Sequence, residues 1–222
     1  MISSGGQSAE WVFERWRGGA ALLHKRPLMS DGRRRLAVME VTRPALVLGS
    51  TTSLPDHRVG PGEGVDVVRR RSGGGVVWLA PGESTWLDVT VPRHDPLWDD
   101  DIGRSFLWLG RTIADALEDL GVRTILHTGG HVAGQDGSLV CFAGRGAGEL
   151  LVGPRKLVGM AQRRTRAAAR IQCVWYRSWS VSGLAAMVGD EVAERCADVG
   201  VGMGAVTAVD PLPAVIEAIQ QR

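Results

Sequence analysis

The chain has 222 residues, 44% of them hydrophobic, enough for one main core with at most a small appendage. Its 26 basic and 24 acidic residues give a net charge of +2, so no global charge excess calls for nucleic acid or an anionic membrane as partner. Cys141, Cys173 and Cys196 are odd in number and widely spaced, which excludes a disulfide framework and a Cys-x-x-Cys metal site. With no signal-peptide pattern at Met1–Ser8 and no apolar run of membrane-spanning length, the reading is a soluble, cytoplasmic protein.

Ala9–Arg17 is read as a short amphipathic helix with Ser8 as its cap. Asp31-Gly32 is read as a turn, and Arg33, Arg34 and Arg35 after it as a solvated loop or strand start with no assigned function. Pro44–Ser50 is an apolar run closed by Gly49, the pattern of a buried strand, and Val65–Arg71 predicts a second strand. The second runs into Arg69-Arg70-Arg71-Ser72-Gly73-Gly74-Gly75, the stretch that carries most chemistry. Three consecutive glycines remove every Cβ from a turn, so backbone N–H groups can converge on an anion, and arginine forks beside them suit phosphate or carboxylate. A basic strand end followed by a flexible turn fits the same residues. Strands at Val76–Leu79 and Ser84–Val91, separated by the turn Ala80-Pro81-Gly82-Glu83, would place the glycines in a strand-loop-strand device. Neither Walker nor Rossmann spacing is present.

Asp101–Leu120 carries Ile102, Phe106, Leu109, Ile113, Leu117 and Leu120 at helical spacing, with Asp99–Asp101 at its start and Gly121 at its end. A long helix after several strands predicts an α+β domain, a mixed or antiparallel sheet flanked by helices. Thr124–His127 and a polar loop at Gly129-Gly130-His131 lead to Ser138–Phe142, read as strand-like around Cys141. That cysteine is either a small core residue or a nucleophile. Glu149–Val152 and Arg155–Ala161 predict a hairpin turned at Gly153-Pro154, with Lys156 beside the turn. A strand at Ala167–Trp175 follows. Arg163, Arg164, Arg166 and Arg170 form a second basic cluster, either a solvated strand face or a surface steering an acidic partner. Helices are expected around Leu184, around Val192 and over Leu212–Gln220, with a glycine-rich link at Gly200–Gly204, so that a helical extension begins near residue 180 of a single domain. Trp78 and Trp86 flank the glycine loop as core residues or as walls of an acyl tunnel.

Arg-Arg-x-Ser-Gly-Gly-Gly followed some 80 residues later by Arg-Lys-x-x-Gly-x-Ala-Gln resembles the lipoate-protein ligase A family with its related octanoyltransferases. The resemblance covers roughly Pro44–Arg177 and implies the biotin/lipoate protein ligase fold. It implies an activity joining lipoate or octanoate, through an ATP-derived acyl-adenylate, to a lysine of lipoyl domains. Those domains belong to 2-oxoacid dehydrogenases or the glycine cleavage H protein. Carried over, Arg69, Arg70, Ser72, Gly73, Gly74 and Gly75, with Gly159, Ala161 and Gln162, would bind substrate, and Lys156 would be the active-site lysine. ATP and Mg would be the ligase's cofactors. Cys141-Phe142 also resembles the nucleophile dipeptide of the octanoyltransferases, which would take octanoyl from acyl carrier protein without a cofactor. Lys156 and nearby arginines would then favour the thiolate. A binding module that kept the pocket but lost turnover is the third possibility.

Overall fold

Along strand β2 (Arg34–Val41), Leu36 and Val38 enter one hydrophobic core while Ala37 and Met39 enter another, so the strand is buried on both faces. The same division runs through β6 (Ser84–Pro92), with Leu87 and Val89 on one side and Trp86 on the other. The computed structural model describes residues 10–29, 31–52 and 64–222. β2 and β6 belong to a seven-stranded sheet that also holds β1 (Trp11–Gly18), β7 (Ile125–Leu126), β8 (Leu150–Val152), β9 (Arg155–Arg164) and β10 (Ala168–Tyr176). Its order is β1-β2-β6-β10-β9-β8-β7, antiparallel apart from the β1–β2 pair.

A second sheet, β4-β3-β5, is built from β3 (Ala45–Leu48), β4 (Asp66–Arg69) and β5 (Val77–Leu79). Ala45 and Val47 of β3 face the large sheet, together with Leu23 of helix α1 (Ala20–Lys25). Leu46 and Leu48 face outward onto α3 (Ser182–Val188) and α4 (Asp190–Arg195). The opposite face of the large sheet is covered by α2 (Leu107–Asp119) and α5 (Leu212–Gln220). Leu109, Ile113 and Leu117 of α2 are fully buried there, each stabilising by about 1.5–3 kcal/mol relative to an exposed position. The layers are therefore helix pair, large sheet, small sheet with α1, helix pair, the α+β architecture expected.

Three expectations are corrected. The segment read as an amino-terminal helix is β1: all eight residues Trp11–Gly18 pair with Arg34–Val41, and this ladder overrides the local helical spacing. Ser8 and Ala9 lie outside the described residues. Ser138–Phe142 is not a strand. Val140 makes one isolated bridge to Val76, and Cys141–Ala143 then close a 3-10 turn. The arginines at 163–170 do not share one face either. Arg170 is buried against the carbonyls of Arg26 and Pro27 and against Asp88, whereas Arg164 donates to the carbonyls of Asp99 and Asp100. Arg34 opens strand β2, one of the two readings given to its cluster, and is buried there, donating to Asp95 Oδ2 at 2.7 Å and to the Arg222 carbonyl at 2.8 Å.

Candidate functional site

The glycine loop joins β4 to β5, two strands that both pair with β3, so its ends are fixed while its centre is free to approach other backbone. Arg69 Nη1 donates to the carbonyls of Gly49 at 2.8 Å and Thr52 at 3.0 Å. Arg70 Nη2 donates to Gly73 at 2.8 Å and Gly75 at 3.1 Å. Both arginines therefore pin loop carbonyls in place. Turning carbonyls toward guanidinium groups leaves the N–H side of the loop for other use: among the described residues, the N–H groups of Gly73, Gly74 and Gly75 donate to no backbone carbonyl. Gly74 has φ +98°, in the region that favours glycine. A Cβ on Gly75 would lie 2.8 Å from the Cys141 nitrogen and the Leu139 carbonyl. That approach is fixed by Val76 N–H donating to Leu139 at 2.6 Å and Cys141 N–H donating to Val76 at 3.1 Å. The loop and the cysteine thus form one unit.

Lys156, the second residue of β9, is 2% exposed. Its Nζ donates to Glu149 Oε2 at 2.7 Å and to the Cys141 carbonyl at 2.9 Å. Glu149 is 3% exposed and also accepts the N–H groups of Gly146 at 2.7 Å and Met160 at 3.0 Å. A lysine at a hairpin end is ordinarily solvated; here its charge is buried with a carboxylate that is itself saturated by donors, the condition under which buried ion pairs persist. The ammonium is directed to the Cys141 carbonyl rather than to its thiol.

Two cavities open from this unit. The outer cleft, of about 580 Å³, is lined by Gly73–Gly75, Lys156, Glu149 and Gln162, and by the Gly129-Gly130-His131 loop opposite. Arg104 and Arg145 also line it. The inner cavity, of about 40 Å³, lies between the two sheets against Val47, Val77, Leu79, Trp86, Gly159 and Val174, with Arg70, His24 and Gln172 as charged or polar members. Cys141, Met160 and Ala161 line both cavities and mark their junction. Gln162 Nε2 donates to Ser105 Oγ at 3.0 Å, and Ser72 Oγ donates to Gln172 Oε1 at 3.4 Å. Arg69 and Ser72 line neither cavity and hold the surrounding frame. Trp86 walls the inner cavity, while Trp78 packs instead against Gly183.

Below the inner cavity Asp88 accepts Trp86 Nε1 at 2.7 Å and Gln172 Nε2 at 3.1 Å, with Arg170 Nε 3.5 Å away. Burial pushes its carboxyl up, against the pull of Arg170. Burial also pushes the Cys173 thiol up, leaving it a neutral wall of the cavity. His24 stacks on Trp86 with ring centroids 4.4 Å apart, and burial reinforced by the Arg70 and Arg170 charges lowers its pKa to about 3.

Glu149, His24 and the Gly129-Gly130-His131 loop were not marked as site residues in the sequence. Glu149 had a usable signal, an acid standing across the hairpin from the motif lysine. His24 had none, since it precedes the glycine loop by nearly fifty residues and lies in no recognisable pattern. Among the described residues no three His, Cys, Asp or Glu side chains group to hold a metal ion, and no helix is long and apolar enough to cross a membrane.

A model of the lipoyl protein ligase A/B catalytic domain matches residues 13–212. A bi-partite lipoate protein ligase from Thermoplasma acidophilum superposes with a TM-score of 0.73 at 14% identity, covering 96% of this chain and 83% of that one. A T. acidophilum structure with bound lipoic acid gives 0.71 at 15% identity, covering 97% and 86%. A lipoate-protein ligase A bound with ATP gives 0.69 at 14% identity, covering 97% and 85%. At these identities the superpositions establish the fold. The sequence matches none of the curated proteins significantly.

Proposed function

Because this chain belongs to the lipoyl protein ligase A/B catalytic-domain family, we propose that it is a lipoylating ligase, joining lipoate or octanoate to a lysine of a lipoyl domain through an ATP-derived acyl-adenylate. One observation carries the reading: a narrow apolar cavity and a wide polar cleft meet at Cys141, Met160 and Ala161, beside the buried Lys156. An acyl chain would enter the first by spreading its walls, since about 40 Å³ holds only a few waters, and its carboxylate would then lie at the mouth of the second. There the N–H groups of Gly73–Gly75, unpaired among the described residues, and the donor of the Lys156 ammonium not given to Glu149 or the Cys141 carbonyl would meet oxygens that gain charge. ATP, when bound, would supply the adenylyl group that turns the carboxylate into a mixed anhydride, with pyrophosphate released in that step and AMP left to depart when the amine attacks. The free glycine N–H groups, Lys156, Arg104 and Arg145 fit its phosphates chemically, and any Mg would be held largely by those phosphates. Lys156 and the glycines stabilise the charge developing on phosphoryl and carbonyl oxygens, first as the acyl carboxylate attacks and then as the acceptor amine does.

A second reading is the octanoyltransferase, favoured by the position of Cys141 at the junction, where its thiol could receive an acyl group from a carrier thioester. Intact mass spectrometry of a lipoyl domain after incubation with the protein tests both. Mass gain with lipoate and ATP, retained in Cys141→Ala, is the expected result. Gain only from octanoyl acyl carrier protein, abolished in Cys141→Ala, would establish the transferase instead, and no gain in either arm would leave a binding module.

A further inference from the structure

The inner cavity contains a polar atom that the lipoylating chemistry at its mouth does not use. His24 lines this cavity and not the outer cleft, which places it away from the junction at Cys141 where the acyl carboxyl would lie. Its Nε2 is buried and has no hydrogen-bond partner among the described residues. Such a group is costly when enclosed by protein alone and is stabilised when something in the cavity bonds to it. The ring cannot easily turn away, because one face is stacked on Trp86 at 4.4 Å, and Trp86 is itself held by its bond to Asp88 Oδ1. Its backbone is also restrained: Arg170 donates to the carbonyls of Arg26 and Pro27, immediately after α1. Nor does the imidazole become a cation, since its burial, reinforced by the Arg70 and Arg170 charges, disfavours the protonated form. Of the other polar walls, Gln172 is bonded to Ser72 and Asp88 and Arg70 to the carbonyls of Gly73 and Gly75, while Val47, Val77, Leu79 and Val174 offer no hydrogen bond from their side chains.

We propose that His24 is a specificity-determining residue whose Nε2 reads the far end of the bound acyl chain and selects one ending in a hydrogen-bond-capable sulfur group over one ending in a plain methyl. This rests on the acyl-chain reading of the inner cavity given above. In the tautomer protonated at Nε2 the ring donates to a ring sulfur, and in the other it accepts from a thiol, so both redox forms of a terminal dithiol can be served. A methyl in the same place leaves the nitrogen unpaired. That is the asymmetry by which a polar site rejects an apolar analogue, reduced here because sulfur is a weak partner.

The test is calorimetric titration of the full chain with lipoate and with octanoate, for wild type, His24→Phe and His24→Gln, with the transfer assay run in parallel. Phenylalanine keeps the ring stack on Trp86 and removes the nitrogen; glutamine keeps a polar group at similar reach. Wild type is expected to prefer lipoate. His24→Phe should narrow the lipoate-to-octanoate ratio about tenfold by weakening lipoate, and His24→Gln should restore most of it. Equal affinity of wild type for the two acids, binding of neither, or a ratio that does not move in His24→Phe overturns the assignment. A lipoate preference in binding that depends on His24, with no transfer to a lipoyl domain, would leave the assignment standing and overturn the ligase reading instead.

Discussion

The outer cleft and the inner cavity share three residues yet are made of different material. Around the cleft, the proposed reading relies on fixed groups: glycines at 73–75 and 129–130 bring peptide groups to the surface, Lys156 is held by its buried pairing with Glu149, and Arg69 and Arg70 hold carbonyls still. In the cavity, function comes from side chains of β3, β5, β6, β9, β10 and α1, drawn together from both sheets. A backbone site tolerates little because an added Cβ meets atoms that cannot rotate away. A side-chain site can be retuned one residue at a time. Reaction chemistry is thus assigned to the rigid half and substrate choice to the adaptable half.

The sharpest way to break that division is at the ion pair. Lys156→Met should lower the rate of lipoyl-domain modification by roughly a hundredfold or more. It should also destabilise the fold by about 3–5 kcal/mol, because Glu149 is left buried without its counter-charge. Adding Glu149→Gln should recover most of the stability in urea unfolding and none of the rate, whereas recovery of both would make the lysine structural. Next in size is Gly75→Ala, whose methyl meets backbone at 2.8 Å on two sides. A loss of about 1–3 kcal/mol is expected from the overpacking, together with a drop in kcat larger than any rise in the KM for lipoate. Gly159→Ala is the contrasting case, since its Cβ would meet only the Phe142 ring, at 2.9 Å. That ring is a side chain but is itself packed against Tyr176 and Trp179, so a loss of about 1 kcal/mol is expected while the preference between short and long acyl chains moves.

An effect of similar size is a pH dependence belonging to the cavity. His24 takes up a proton near 6.5 when unfolded but only near 3 when folded, so below pH 6.5 the unfolded state binds more protons and stability falls. By pH 5 this amounts to about 2 kcal/mol, and it is absent above pH 7. Urea midpoints measured from pH 7 to 5 should show a shallower decline in His24→Phe than in wild type. An identical slope in the two proteins would mean the imidazole is not held neutral.

What could be read in advance follows the same division. The hairpin at Gly153-Pro154, the helix over Leu212–Gln220 and the strands bounding the glycine loop are each dictated by contiguous residues, and the structure has them there. The cleft was legible because its glycines and lysine occur in two short motifs. β1 was misread because Trp11, Val12, Phe13 and Trp16 also suit a helical stripe. Its aromatic and branched content was the better guide, and the ladder to Arg34–Val41 decided the outcome. The contacts of Arg170 with Arg26 and Pro27 span more than 140 positions, and no local pattern encodes that.

The wall that carries His24 is a helix of only six residues, far below the length at which a helix persists in water without tertiary support. Its order is therefore lent by Leu23 beneath it and by the Arg170 clamp at its end. Opening of this segment would be a small local excursion rather than global unfolding. A ligand that touches His24 would oppose that opening, so occupancy of the cavity and order of the helix would rise together. Amide exchange over Leu22–Lys25 would record the residence of the acyl chain directly.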